Sequence, residues 1–223
     1  MGTVSVEQMD SLYWLGRYSE RVYTTIRLYF ISYDQMLDKD MEDYRNFCAS
    51  LDIPNVYKDT DDFRTRYPFD TDDPNSIIST LTHAYDNAVT LREEIGSETL
   101  SYIQLALYSM QKAKQSDAPL IEMMSVEDNI LAFWGIADDR IDSEQTRNII
   151  KTGKRVERID LYSRLHVDRK ELLRELHRLT PRIAKSGMKY NPVVISKLDV
   201  LIHEPEIDYK RITKEIESIL IEE

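Results

Sequence analysis

The run Gly16-Arg17-Tyr18-Ser19-Glu20-Arg21-Val22, completed by Arg27-Leu28, returns 137 residues later as Gly153-Lys154-Arg155-Val156-Glu157-Arg158-Ile159, completed by Arg164-Leu165. Five of the thirteen aligned positions are identical: Gly16/Gly153, Glu20/Glu157, Arg21/Arg158, Arg27/Arg164 and Leu28/Leu165. Arg17/Lys154 and Val22/Ile159 are close substitutes. Such an echo points to duplicated halves, about 1–115 and 116–223. Helix geometry adds to it. Glu20 lies four residues past Gly16 and Arg27 seven past Glu20, so all three share one stripe with Leu12, Tyr13 and Ile26. Glu157 and Arg164 repeat this with Ile149, Ile150 and Gly153. A carboxylate or guanidinium on a core stripe must be paired, because an isolated buried charge is very costly. Glu20 and Arg21 point about 100° apart and serve each other badly. The expectation is a quasi-symmetric crossing in which the Glu of one copy meets an Arg of the other. Arg92, in line with Tyr85, Ala88 and Leu91, could join it. Glycine inside a helix costs about 1 kcal/mol relative to alanine, so Gly16 and Gly153 are expected where two helix backbones approach closely. Gly135 is the third such glycine.

Working outward, the helical period extends almost everywhere. Ser5 with Gln8 fits a capping box that opens a helix to about Leu37. A short helix is expected over Met41–Ser50, and residues 52–74, interrupted by Pro54, Pro68 and Pro74, read as a loop with at most one helical turn. Pro74 is expected to open the next helix, which Gly96-Ser97 interrupts before a further helix to Lys114. Pro119 starts another. Asp142 or Ser143 caps a long helix to about His166, and Asp168 caps one that Thr180-Pro181 should break or kink. Gly187 reads as a C-terminal cap, Asn191-Pro192 as the start of a short helix, and Asp208 as the cap of the last, ending at Ile221. No alternating strand is visible. The chain reads as one all-α domain, a multi-helix bundle whose two quasi-repeated helices pack centrally.

The 223 residues carry 29 Lys and Arg against 40 Asp and Glu, a net charge of −11. That balance argues against nucleic acid or an anionic membrane as partner. The six glycines and seven prolines are too few for a turn-rich β protein. Cys48 is the only cysteine, so no intrachain disulfide forms and a reducing, cytoplasmic setting is expected. No signal peptide, myristoylation motif or membrane-length apolar run is visible.

The segment from Leu12 to Arg21 resembles the opening motif of the alpha-E domain family, helical proteins named for an E-R motif. The second copy, Gly153 to Asp160 with Arg164, resembles that family's second motif. Asn87-Ala88 with Arg92 and Glu98 resembles its central helix, although Leu100 and Tyr102 replace an aromatic pattern expected nearby. No activity is established for the family. The resemblance implies a companion role beside a circularly permuted ATP-grasp ligase and a transglutaminase-like protein, in making or tailoring small peptides through amide ligation.

Sites for independent chemistry are few. None of His83, His166, His177 or His203 completes the Glu-x-x-His pairs of a diiron bundle, and four scattered histidines with one cysteine do not make a zinc or iron site. There is neither a P-loop nor a nucleophile elbow, and Cys48 reads as a small buried apolar residue. Asp138-Asp139-Arg140-Ile141-Asp142 has the D-D-x-x-D form that can hold Mg²⁺ and a diphosphate. The plainer reading is a helix cap at Asp142 with two surface acids. The arginines of the E-R motifs could alternatively grip an anionic ligand. The sequence therefore favours a non-catalytic accessory protein without a cofactor. The competing reading is a helical enzyme binding an anion or a Mg-diphosphate. Homo-oligomers stay open.

Overall fold

The structure is a computed structural model that describes residues 4–38 and 43–221. Among these residues there are eleven helices and no sheet; a single antiparallel bridge joins Tyr190 and Leu220. The fold is all-α.

The first helix, α1 (Val6–Asp38), starts at the capping box. The Gln8 amide donates to Ser5 Oγ at 3.1 Å and the Ser5 amide to Gln8 Oε1 at 2.9 Å, so each residue satisfies a donor of the other. Then come α2 (Asp43–Leu51) and α3 (Thr60–Arg66), the latter capped by Asp59. Met41, the expected start of α2, lies outside the described residues. The helix expected to open at Pro74 begins instead at α4 (Ile77–Thr90), with Ser76 as cap. Asp73 accepts from the Asn75 amide at 2.8 Å and turns the chain before the helix can start. Leu91 and Gly96, the latter at φ 80°, set off the single turn α5 (Arg92–Ile95) from α6 (Ser97–Lys114). Pro119 occupies the first position of α7 (Pro119–Arg140).

Ser143, not Asp142, caps α8 (Glu144–Arg164), its Oγ accepting from the Thr146 amide at 3.1 Å. Asp168 caps α9 (Arg169–Ser186), which ends on Gly187 in the left-handed region. Of the break or kink expected at Pro181, the break does not occur; α9 runs through it. The carbonyl that loses its donor there is that of His177. Both residues are exposed, so water replaces the missing bond. Asn191 caps α10 (Pro192–His203), and Asp208 caps α11 (Tyr209–Glu217).

By packing, the chain falls into two compact units. One takes Met1–Glu20 with Asp142–Glu223, the other Arg21–Ile141. These boundaries do not follow the division near residue 115 drawn from the repeat. In the first unit, α8 packs on α9 and α11, and α10 lies against α9 and α11. In the second, α6 pairs with α7 and α4. The aromatic cluster of Tyr29, Phe47, Phe63 and Tyr67 is buried there, Phe63 stacked on Tyr67 at 5.0 Å.

Candidate functional site

Glu20, Glu157 and Arg158 of the E-R motifs meet in the first unit, where the start of α1 lies against α8. The contact is made backbone to backbone. A Cβ added to Gly16 would sit 2.1 Å from the Ile150 carbonyl oxygen and 3.0 Å from the Lys154 nitrogen. One added to Gly153 would sit 2.0 Å from the Tyr13 oxygen and 3.1 Å from the Arg17 nitrogen. The contact is reciprocal, since Ile150 and Lys154 stand in the second copy where Tyr13 and Arg17 stand in the first. Gly135 has open space around its would-be Cβ and marks no such crossing.

Because the backbones touch, short side chains on either helix can reach across. Glu20 is fully buried, and Arg158 takes both its oxygens, Nε to Oε1 at 2.6 Å and Nη2 to Oε2 at 2.7 Å. This two-point fork is the strong form of the pair. Glu157, also fully buried, accepts from Arg17 Nε at 2.6 Å. Arg17, one turn before Glu20, thus joins the network as a partner of Glu157. Arg21 is half-buried in the second unit, close enough to the buried Tyr67 to act on its hydroxyl.

Around this core the network widens within α8, α9 and α11. Asp160 is buried, accepts from Arg164 Nε at 2.8 Å and lies 3.5 Å from Arg17 Nη2. Burial, and then Glu157, push its pKa up against the pull of Arg164 and Arg17. Arg164 also reaches Glu217 at 2.9 Å. Glu175 on α9 is fully buried and accepts from Arg155 at 2.5 Å and Arg178 at 3.1 Å. Burial raises the Glu175 carboxyl, but Arg155 and Arg158 outweigh it, so its pKa is lowered.

Arg17, Arg155 and Glu175 were not among the expected network residues. The signal for Arg17 was present, since a cation recurs at its equivalent, Lys154. Glu175 sits among Leu172, Leu176 and Leu179 on the apolar stripe of α9, so the rule that found Glu20 applies to it as well.

Three expected members do not belong to the buried network. Arg27 is exposed, with Nε 3.7 Å from Glu127 and an amino group 3.3 Å from the Tyr23 hydroxyl. Past Glu20 the buried face of α1 centres on Val22, Ile26 and Tyr29, and Arg27 points about 100° from Ile26. Arg92 is exposed and donates to Ser97 Oγ at 3.0 Å. The break at Leu91 takes it off the buried stripe of α4. Glu98 is exposed beside Arg140 at 3.4 Å.

Asp138 and Asp139 are exposed in the last turn of α7, and no group of three or more His, Cys, Asp or Glu is placed to hold a metal among the described residues. Cys48 is buried, and burial pushes its thiol up to about 11, away from nucleophilic use.

Lys154 is the chemically unusual member. Burial pushes its ammonium down to about 7; Arg158 and Arg155 add to this, and Glu20 and Glu175 oppose it. In the unfolded chain the group keeps its proton to about pH 10.4. Between those values the unfolded chain binds more protons than the folded one, so stability rises with pH. The expected result is a climb in the urea midpoint from about pH 7 to 8, before ionisation of the unfolded Cys48 thiol, near pH 8.5, works against it. Lys154→Met should flatten that climb; an unchanged slope would remove Lys154 as its source.

Residues 8–186 match the Alpha-E family, described as a predicted alpha-helical domain with a conserved ER motif. The chain belongs to this family. No curated protein and no solved structure matches it. Among the described residues no helix is long and apolar enough to cross a membrane.

Proposed function

We propose that the protein is a non-catalytic accessory module in which the ER motif is a structural clamp, acting beside a circularly permuted ATP-grasp amide ligase in the synthesis or tailoring of small peptides. The observation that carries the first part is the Glu20–Arg158 fork. Both carboxylate oxygens are taken at hydrogen-bond distance and the acid is out of reach of solvent, so this guanidinium is already spent on the fold. Arg17 is spent on Glu157 in the same way. A motif that satisfies its own charges has little left to offer an anionic ligand, which weighs against the anion-binding reading. The second part rests on the family likeness, which also suggests a transglutaminase-like protein as companion; the single cysteine suits a cytoplasmic setting.

The test is to purify the full chain with an ATP-grasp ligase of the permuted class and to assay amide formation with and without it. A stable complex and a several-fold change in ligation rate are expected. No complex together with an unchanged rate would overturn the accessory role.

A further inference from the structure

The net charge of −11 is not spread evenly. Helices α8 and α9 carry 12 Lys and Arg against 5 Asp and Glu. The rest of the chain carries 17 against 35, which completes the 29 and 40 of the whole. On α9 the surplus is turned outward. The four charged residues of this helix that are exposed, Lys170, Arg174, Arg178 and Lys185, are all cations. Their spacings of four, four and seven put them on one side of the helix, in a row of roughly 22 Å. The two acids of α9 do not share that exposure: Glu175 is fully buried and Glu171 half-buried. Pairing inside the chain does not use the row up. Glu175 has one negative charge, and Arg155 at 2.5 Å, Arg178 at 3.1 Å, Arg174 at 3.5 Å and Arg158 at 3.8 Å all draw on it. Arg174 also meets Glu171, and Lys185 meets Glu144 at 2.9 Å. Lys170 meets no carboxylate among the described residues. Exposed pairs of this kind are weak and screened, so a partner can exchange them at little cost.

A row of this length fits a ligand with several negative charges in line, because one small anion engages only one or two of the four cations. A nucleic acid has such charges. A strand longer than the row, however, would meet the field of a chain whose other charges are 35 acids against 17 bases, and that field repels it. An acidic protein segment can match the row alone, and its carboxylates suit guanidinium forks. We propose that the outer face of α9 is a docking surface for an Asp- and Glu-rich segment of a partner protein, whose carboxylates engage Lys170, Arg174, Arg178 and Lys185. Complementary charge of this kind sets partner choice and speed of encounter more than raw affinity. The proposal stands on the charge layout of α9 and holds whether or not the partner is a ligase.

The experiment is fluorescence anisotropy of a labelled deca-glutamate peptide titrated with the full chain, without any ligase. It is run at about 150 mM salt, where exposed charges more than about 8 Å apart are largely screened. Saturable binding is expected, and none of the equally long glutamine peptide. Lys170→Glu, at an exposed position with no ion pair to lose, should weaken binding about fivefold, the scale of one exposed charge contact reversed. Lys112→Glu, on α6, changes the net charge equally and should leave binding within about twofold at this salt. Arg178→Gln should also weaken binding; where its loss from Glu175 disturbs the fold, Lys170→Glu carries the comparison. No saturable binding of deca-glutamate, or equal losses from Lys170→Glu and Lys112→Glu, would overturn the proposal. Tighter binding of an oligothymidylate of equal charge would overturn it in favour of nucleic acid. Because no ligase is present, failure here leaves the accessory reading untouched, and the converse holds.

Discussion

Gly153→Ala is expected to destabilise the first unit by about 3 kcal/mol or more, at the upper end of what overpacking a close contact costs. The added methyl would lie 2.0 Å from the Tyr13 carbonyl oxygen. That atom is backbone, so it cannot rotate out of the way. Relief requires the two helices to part, which would also stretch the Arg158–Glu20 and Arg17–Glu157 pairs. Gly16→Ala should behave alike, for its methyl meets the Ile150 oxygen at 2.1 Å. Gly135→Ala is the internal control. That glycine has nothing within 4 Å of its would-be Cβ, so alanine should gain about 1 kcal/mol from helix propensity alone. Urea denaturation of the three variants reads the contrast. A Gly153→Ala protein as stable as the parent would show that the crossing is looser than described.

The second large effect concerns Glu20. Glu20→Ala takes from the Arg158 guanidinium, 13% exposed, both of its close hydrogen bonds and opens a void beside it, with Glu175 left 3.8 Å away. Breaking a buried ion pair from one side costs about 3–5 kcal/mol. Removing both charges is a different matter, because well-packed apolar replacements of a buried pair are often neutral. The double variant Glu20→Leu with Arg158→Met should therefore recover much of the loss. The pair then contributes specificity of helix register more than net stability. Its two bonds are satisfied only when Glu20 and Arg158 stand level, which is the register that lets Gly16 and Gly153 seat their neighbours. A double variant as unstable as Glu20→Ala would show instead that the charges themselves supply the stability.

Much of this was legible in the sequence because the rules involved are local. The Ser5/Gln8 box, Asp168, Asn191-Pro192 and Gly187 act within a few residues of themselves, and each ends or starts a helix where its chemistry says. Glu20 and Glu157 were legible for a related reason, since an acid on an apolar stripe demands a partner wherever the helix packs. What the sequence could not say is which neighbour each stretch of helix faces. Seven residues return Arg27 to the azimuth of Glu20, yet that face of α1 stays buried only through Tyr13, Gly16 and Glu20, whereas the stripe of Leu12, Leu15, Val22, Ile26 and Tyr29 is buried along the helix. Arg92 fails because the helix carrying its stripe ends at Thr90. Arg17 joins the network because contact at Gly16 and Gly153 brings the next residue along α1 within reach of α8. Pro181 does not break α9 because a helix proline costs most where the carbonyl left over is cut off from water, and His177 is exposed.

If the crossing is a clamp, Glu20 and Arg158 act as one unit. A double-mutant cycle of Glu20→Leu and Arg158→Met tests this directly. In a Trp134→Phe background, the emission of Trp14, 5.0 Å from the Arg17 guanidinium, reports on the first unit alone. A coupling energy of about 2 kcal/mol or more is predicted, as expected for residues in one buried network. Effects that add to within about 0.5 kcal/mol, as for independent sites, would contradict the clamp.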